Sequence, residues 1–189
     1  MKIFFVTLII LLFSSCRTYI DNESDIIRDN FDSVYGHLYA KDIYNEYVYI
    51  NKIGLRADKE VFYPRHYKLK LPKGIVKFYA QISENYTCIE YPSKQIICIK
   101  AKYLNDNVKE DQWKLINPDE ETMEKMLSDY WEEKNYNFDN IRARNHRITK
   151  LYTNGIFSIL LYNIKEKNFD HFLYMVKSIE EIKYKAPDN

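Results

Sequence analysis

The chain is poor in glycine, histidine and cysteine, and each shortage removes a class of function. Its four glycines stand at Gly36, Gly54, Gly74 and Gly155. A hydrolase nucleophile elbow needs Gly-x-Ser-x-Gly, because that strained turn lifts the hydroxyl out of the sheet. No such spacing occurs, and a Gly-rich phosphate loop has nothing to be built from. The four histidines, His37, His66, His146 and His171, contain no His-x-x-x-His pair of the kind zinc enzymes use. An excess of either charge is missing too: 28 Lys+Arg stand against 27 Asp+Glu. That balance argues against a nucleic-acid partner, which selects a basic domain. The apolar run at the front, Ile3–Phe13, is shorter than the ~20 residues that span a hydrocarbon core.

What is present begins with that run. Lys2 gives a positive start, Ile3–Phe13 is apolar apart from Thr7, and Ser14, Ser15 and Cys16 follow. A charged start, a short apolar stretch and small residues before a cut site read as an export leader over residues 1–15. Phe13-Ser14-Ser15-Cys16 resembles the lipobox of bacterial lipoproteins, with Phe13 where Leu is usual. The resemblance implies that Cys16 is acylated and becomes the first residue of the exported chain. Acyl chains contribute about 0.8 kcal/mol per buried methylene, and two or more make attachment stable. Arg17, in place of an Asp after the lipidated Cys, leans toward the outer membrane of a Gram-negative cell.

Loss of the leader removes Lys2, so Lys+Arg falls to the 27 of Asp+Glu. The remaining length suits one domain with a sizeable core. Tyr is abundant, at 18 residues, and with the Asn, Lys and Ile content it resembles AT-rich bacterial proteomes such as those of Bacteroidetes. Once Cys16 is assigned to lipid, Cys88 and Cys98 remain as an even pair in a chain expected to leave the cytoplasm, where disulfides persist.

Residues 16–23 read as a polar tether. Ile26, Ile27, Phe31, Val34, Tyr35 and Leu38 recur at helical spacing after Ser24, predicting a helix over 24–39. Asp32-Ser33-Val34 looks like the O-glycosylation motif of Bacteroidetes, though a helical Ser is a poor acceptor. Tyr47–Ile53 reads as a strand. Tyr67, Leu69 and Leu71 alternate with Lys68 and Lys70, and Val76, Phe78, Ala80 and Ile82 alternate next. Tyr86–Tyr91 and Gln95–Tyr103 flank Pro92-Ser93-Lys94 and predict a hairpin. A three-residue loop sets Cys88 opposite Cys98, close enough for a disulfide. A two-residue loop would set Cys88 opposite Ile97, and two reduced thiols on one face remain the alternative.

Asn117-Pro118-Asp119-Glu120 predicts a helix start capped by Asn117, with Met123, Met126, Leu127, Tyr130 and Trp131 on one stripe. Arg147–Tyr152 and Ile156–Ile164 flank Thr153-Asn154-Gly155, a strong hairpin signal. Ile156–Tyr162 is apolar on both faces apart from Ser158, which predicts a central strand covered twice. Asn168 is read as the cap of a last helix carrying Phe169, Phe172, Leu173, Val176 and Ile179, before a polar tail at 184–189. These elements define a single α+β domain over 24–183: an antiparallel sheet of about five to seven strands covered by helices. Their order is similar in outline to the Mog1/PsbP-like sandwich.

Few side chains suggest chemistry. The acid pairs Glu120-Glu121, Glu132-Glu133 and Glu180-Glu181 fall on predicted helix faces, whereas glycoside hydrolysis needs two carboxyl groups opposed across a cleft. If extended, Arg142, Arg144 and His146 project to one side, and Lys100 and Lys102 could join them in an anion-binding patch. Aromatics crowd Tyr35–Tyr67 and could form a binding surface or a core edge. No catalytic residue, metal ligand or cofactor is expected. The expectation is a lipid-anchored envelope protein that meets the membrane through acyl chains and binds a protein or glycan. The alternatives are a hydrolase of envelope polymers and an immunity or inhibitor-type lipoprotein.

Overall fold

The computed structural model describes residues 31–32, 36–40, 45–51, 55–57, 60–81, 85–104, 106–132 and 146–183. The strands are β1 (Phe31–Asp32), β2 (Gly36–Ala40), β3 (Glu46–Asn51), β4 (Leu55–Ala57), β5 (Glu60–Phe62), β6 (His66–Lys70), β7 (Lys77–Gln81), β8 (Tyr86–Tyr91), β9 (Gln95–Ala101), β10 (Lys114–Ile116), β11 (Arg147–Thr153), β12 (Phe157–Lys165) and β13 (Glu180–Ile182). Among the described residues two helices accompany them, α1 (Glu120–Glu132) and α2 (Glu166–Val176).

The strands form two main sheets, not the one sheet expected. The first has the order β1-β2-β3-β6-β13 and the second β10-β11-β12-β9-β8-β7, with β4 and β5 paired separately. Neighbours in both sheets run antiparallel. The fold is therefore mostly β within the α+β class.

Alternation decides which side chains meet between the sheets. Tyr67 and Leu69 of β6 are buried, while Lys68 between them is partly exposed and Lys70 beyond them is exposed. Tyr47 and Tyr49 of β3 join them against Phe78, Ile89, Ile97, Ile99, Phe157 and Ile159 of the second sheet. The rings interlock: Tyr67 meets Tyr49 at 4.9 Å and Phe157 edge-on at 5.5 Å between centroids. The Tyr67 and Thr87 hydroxyls share a 2.5 Å hydrogen bond from sheet to sheet. Helix α2 touches β6 as well as β11 and β12, so it closes one side of the stack with Phe169, Phe172 and Val176.

The opposite face of the second sheet carries a separate apolar cluster. There Met123, Met126 and Leu127 of α1 pack on Tyr86, Cys88, Ile96, Cys98, Leu151 and Leu160. The layers are thus sheet, sheet and helix. β12 lies between β9 and β11 and is covered on both faces, which is why Ile159, Leu160 and Leu161 are all at 0% exposure. Each such side chain contributes about 1.5–3 kcal/mol through burial.

Several sequence expectations are corrected. The predicted helix over 24–39 is overturned at Phe31–Asp32 and Gly36–Ala40, which are strands paired Phe31↔Leu38 and Asp32↔His37. Helical spacing there competes with pairing onto β3, and the sheet wins because β2 finds a full partner in residues 47–51. Ser33 lies outside the described residues. The cap of α1 is Asp119, not Asn117: its Oδ1 accepts the Thr122 amide at 2.8 Å and its carbonyl accepts the Met123 amide. Hydrogen bonds from the Thr122 side chain and from its amide hold the Asp119 carboxyl below the usual range.

Asn168 lies inside α2, and its Nδ2 donates to Gln95 Oε1, which also takes the Lys165 amide. The cap position is Lys165, which makes no side-chain capping bond. β9 ends at Ala101, short of the predicted Tyr103; the Lys102 amide still donates to the Ile156 carbonyl, and the Lys102 carbonyl accepts from Arg65 Nε. In the last hairpin the turn falls on Gly155-Ile156, between Asn154 and Phe157. Asn154 donates its amide to the Phe157 carbonyl, and its Oδ1 accepts the Phe157 amide. Gly155 holds φ +88°, a conformation L residues rarely adopt.

Candidate functional site

Cys16, Arg142 and Arg144 lie outside the described residues. His146 is described. It precedes β11 with φ 65°, is exposed, and places Nδ1 3.4 Å from Glu166 Oε2 at the start of α2. Lys100 is not its neighbour. Lys100 opposes Ser158, and Ser158 opposes Thr153 at the far end of β11. Seven residues of strand, about 3.3 Å each, keep the two ends roughly 23 Å apart. Lys100 therefore does not join His146, and the grouping of His146 with Arg142 and Arg144 lies outside the described residues.

What the register does assemble is a set of rows across the helix-covered face of the second sheet. One row runs Tyr86, Lys100, Ser158, Thr153 and Lys114, residue opposite residue. Apart from the buried Tyr86 ring it is polar. Lys100 Nζ donates to the Tyr86 hydroxyl at 3.3 Å and lies over the same ring, and Ser158 Oγ donates to Thr153 Oγ1 at 3.2 Å. Lys114 is ion-paired with Asp111. The next row runs Tyr79, Cys88, Cys98, Leu160, Leu151 and Ile116, and α1 covers its centre.

Cys88 and Cys98 face each other in the register expected from the three-residue loop. Their Cα atoms are 4.2 Å apart and their sulfurs lie within bonding distance. The short separation marks a pair that exchanges no backbone hydrogen bonds, where side chains approach most closely. Cys98 is fully buried and Cys88 is 7% exposed. Above them the Met126 carbonyl of α1 lies 2.7 Å from Cys98 Sγ and 3.1 Å from Cys88 Sγ. Thiols would donate to that oxygen, whereas a disulfide has no proton to give it.

Several of the groups that a hydrolase reading would use make structural contacts. His66 is half-buried, and its Nε2 lies 3.2 Å from the Asn51 carbonyl. Burial moves its pKa below the ordinary histidine range, against the pull of that carbonyl. Glu180 and Glu181 stand on strand β13, not on a helix, and point to opposite faces. Glu180 pairs with Lys68 at 2.9 Å, and Glu181 with the buried Arg65 at 2.5 Å. Glu121 pairs with Lys125 one helical turn on. Among the described residues no group of three or more His, Cys, Asp or Glu is gathered to hold a metal.

The crowded tyrosines divide between core and surface. Tyr47, Tyr49 and Tyr67 are buried between the sheets, while Tyr63 is only partly buried. Three of the aromatics offered as a binding surface are thus core. Compared with family models, with curated proteins and with solved structures, the chain matches none.

Proposed function

We propose that this chain is a lipid-anchored cell-envelope protein whose two-sheet domain is a non-enzymatic binding or interaction module. The anchor is Cys16, acylated after removal of residues 1–15, and the location is the outer membrane of a Gram-negative cell. The observation that carries the reading is the stretch Met1–Cys16, with Lys2, the apolar Ile3–Phe13 and Phe13-Ser14-Ser15-Cys16. The cysteines outside it support the same reading. The two that remain face each other at 4.2 Å between Cα atoms, an arrangement suited to an oxidising compartment. The partner is a protein or glycan. The outline likeness to a Mog1/PsbP-like sandwich, read from the order of elements in the sequence, remains a part of this proposal.

Metabolic labelling tests the anchor. Cells expressing the wild type or Cys16→Ser are fed an alkyne analogue of palmitate, and the protein is captured and fractionated. The wild type takes label and sediments with the outer membrane, and the variant takes none. Label that persists on Cys16→Ser, or a wild type without label, overturns the assignment. Crosslinking in the native envelope tests the binding role, which predicts one specific partner. Turnover of a glycan or peptide with no partner recovered reverses it in favour of a hydrolase.

A further inference from the structure

We propose that the free edge of β10 and the side of α2 that meets Tyr152 form a docking surface for an extended segment of a partner protein, in which apolar and acidic residues alternate. This rests on the binding-module reading and adds where the partner sits and what chemistry it carries.

The exposed apolar side chains point to the place. Among the described residues the large ones are Val76, Leu115, Ile116 and Tyr174. Val76 precedes β7, which is one edge of the second sheet. Leu115 and Ile116 belong to β10, the opposite edge, and Leu115 is 56% exposed. Leu115 stands opposite Tyr152 of β11, so their side chains share one face of the sheet. Lys177, the C-cap of α2, holds its ammonium 4.5 Å from the centre of the same Tyr152 ring. Burial, and then the charge of Asp170, raise the Tyr152 pKa, so Asp170 acts on this ring too. Asp170, Tyr174 and Lys177 are spaced i, i+4 and i+7, which puts them on one line along α2. Tyr174, 76% exposed, therefore stands on the line of α2 that meets Tyr152, and Leu115 flanks Tyr152 from the sheet.

The backbone decides the form of the partner. β10 is the last strand of its sheet and pairs only with β11. Its outer N–H and C=O groups are a template for one more strand. An added strand sends successive side chains to opposite faces. On one face they meet Leu115, Tyr152 and Tyr174, and on the other they meet Lys114 and Ile116. Charge decides the polar half of the pattern. Lys177 makes no ion pair among the described residues. Lys114 is paired with Asp111, but the two side chains are 66% and 55% exposed, so a carboxylate of the partner replaces Asp111 at little cost. Acidic residues thus suit the cations that border the edge, and apolar ones suit the Tyr152 face. A strand of three residues offers a small contact, which fits a transient complex.

Fluorescence anisotropy on the full chain in detergent tests the surface with a labelled peptide, Glu-Val-Glu-Val-Glu-Val-Glu. The wild type binds it saturably. Tyr174→Ala and Leu115→Ser each weaken binding about tenfold, the size of a truncated interface anchor. Val76→Ala, at the far edge, leaves binding unchanged. A peptide with Lys in place of Glu, and the original peptide methylated on every amide nitrogen, each bind at least about tenfold more weakly, the second because it cannot pair with a strand edge. The methylated peptide is read on the wild type, so the test stands even where a variant fails to fold. No saturable binding by the wild type, equal binding of the methylated peptide, or binding untouched by both Tyr174→Ala and Leu115→Ser overturns the proposal. Self-association of the chain that Leu115→Ser abolishes, with no peptide bound, assigns the edge to a second copy and overturns it as well. A partner crosslinked in the envelope in equal yield by the wild type and both variants overturns this surface and leaves the binding-module reading standing.

Discussion

Removing the Tyr67 hydroxyl is the most informative single change to the core. Its hydrogen bond to Thr87 Oγ1, 2.5 Å long and buried, joins β6 of the first sheet to β8 of the second. Tyr67 is 2% exposed and Thr87 2%, so water does not replace a lost partner. Tyr67→Phe keeps the ring contacts to Tyr49 and Phe157 and strands the Thr87 hydroxyl. A stranded buried hydroxyl costs about 1–3 kcal/mol. Thr87→Val strands the phenol in the same way. Tyr67→Phe/Thr87→Val removes both groups together and leaves nothing unpaired. The double variant is therefore expected near the stability of the better single variant, with a coupling of at least about 1 kcal/mol. Urea unfolding read by circular dichroism measures it. With a slope of about 2 kcal/mol per molar, each single change lowers the midpoint by about 0.5–1.5 M. Midpoint losses that simply add in the double variant would refute the claim that this bond couples the sheets.

Two other perturbations have definite signs. Tyr49, Tyr67 and Tyr91 have pKa values raised by burial, so the folded state holds three phenol protons that the unfolded chain gives up near pH 10. The folded state then binds more protons above that pH, and stability falls by up to about 4 kcal/mol per pH unit. Below pH 10 the contribution is complete. Tyrosinate absorbance from these three should therefore rise in step with unfolding, and a rise that precedes loss of the circular-dichroism signal would contradict the burial. Gly155→Ala places a Cβ 2.7 Å from the Lys109 carbonyl at φ +88°. A loss of about 1–3 kcal/mol is expected in urea unfolding, and a neutral result would show that the 154–157 turn is wrongly placed.

Much of the second sheet was legible because its pairs are local. The three-residue loop at 92–94 fixes the β8–β9 register, and one register then dictates that Cys88 meets Cys98. β12 announced itself by being apolar on both faces, a pattern that only a central strand can afford. The first sheet and the β10 edge of the second were less legible. β10 and β13 have three residues each and no alternation long enough to read, and they exist because β11 and β6 offer them an edge. β1 and β2 carry a helical period that long-range pairing overrides. The site suffered more than the fold. Arg142 and Arg144 fall outside the described residues, and His146 joins α2 instead of Lys100. The polar row from Tyr86 to Lys114 gave no sequence signal, because its members come from five strands spread over 114-to-158 and 86-to-100 segments.

Intact mass spectrometry of the protein isolated unreduced from the cell envelope tests the central claim most directly. The expected species begins at Cys16, carries the added mass of its acyl chains, and gains two hydrogens only when Cys88 and Cys98 are reduced. A species that begins at Met1, or that carries no lipid and two free thiols at Cys88 and Cys98, would contradict it.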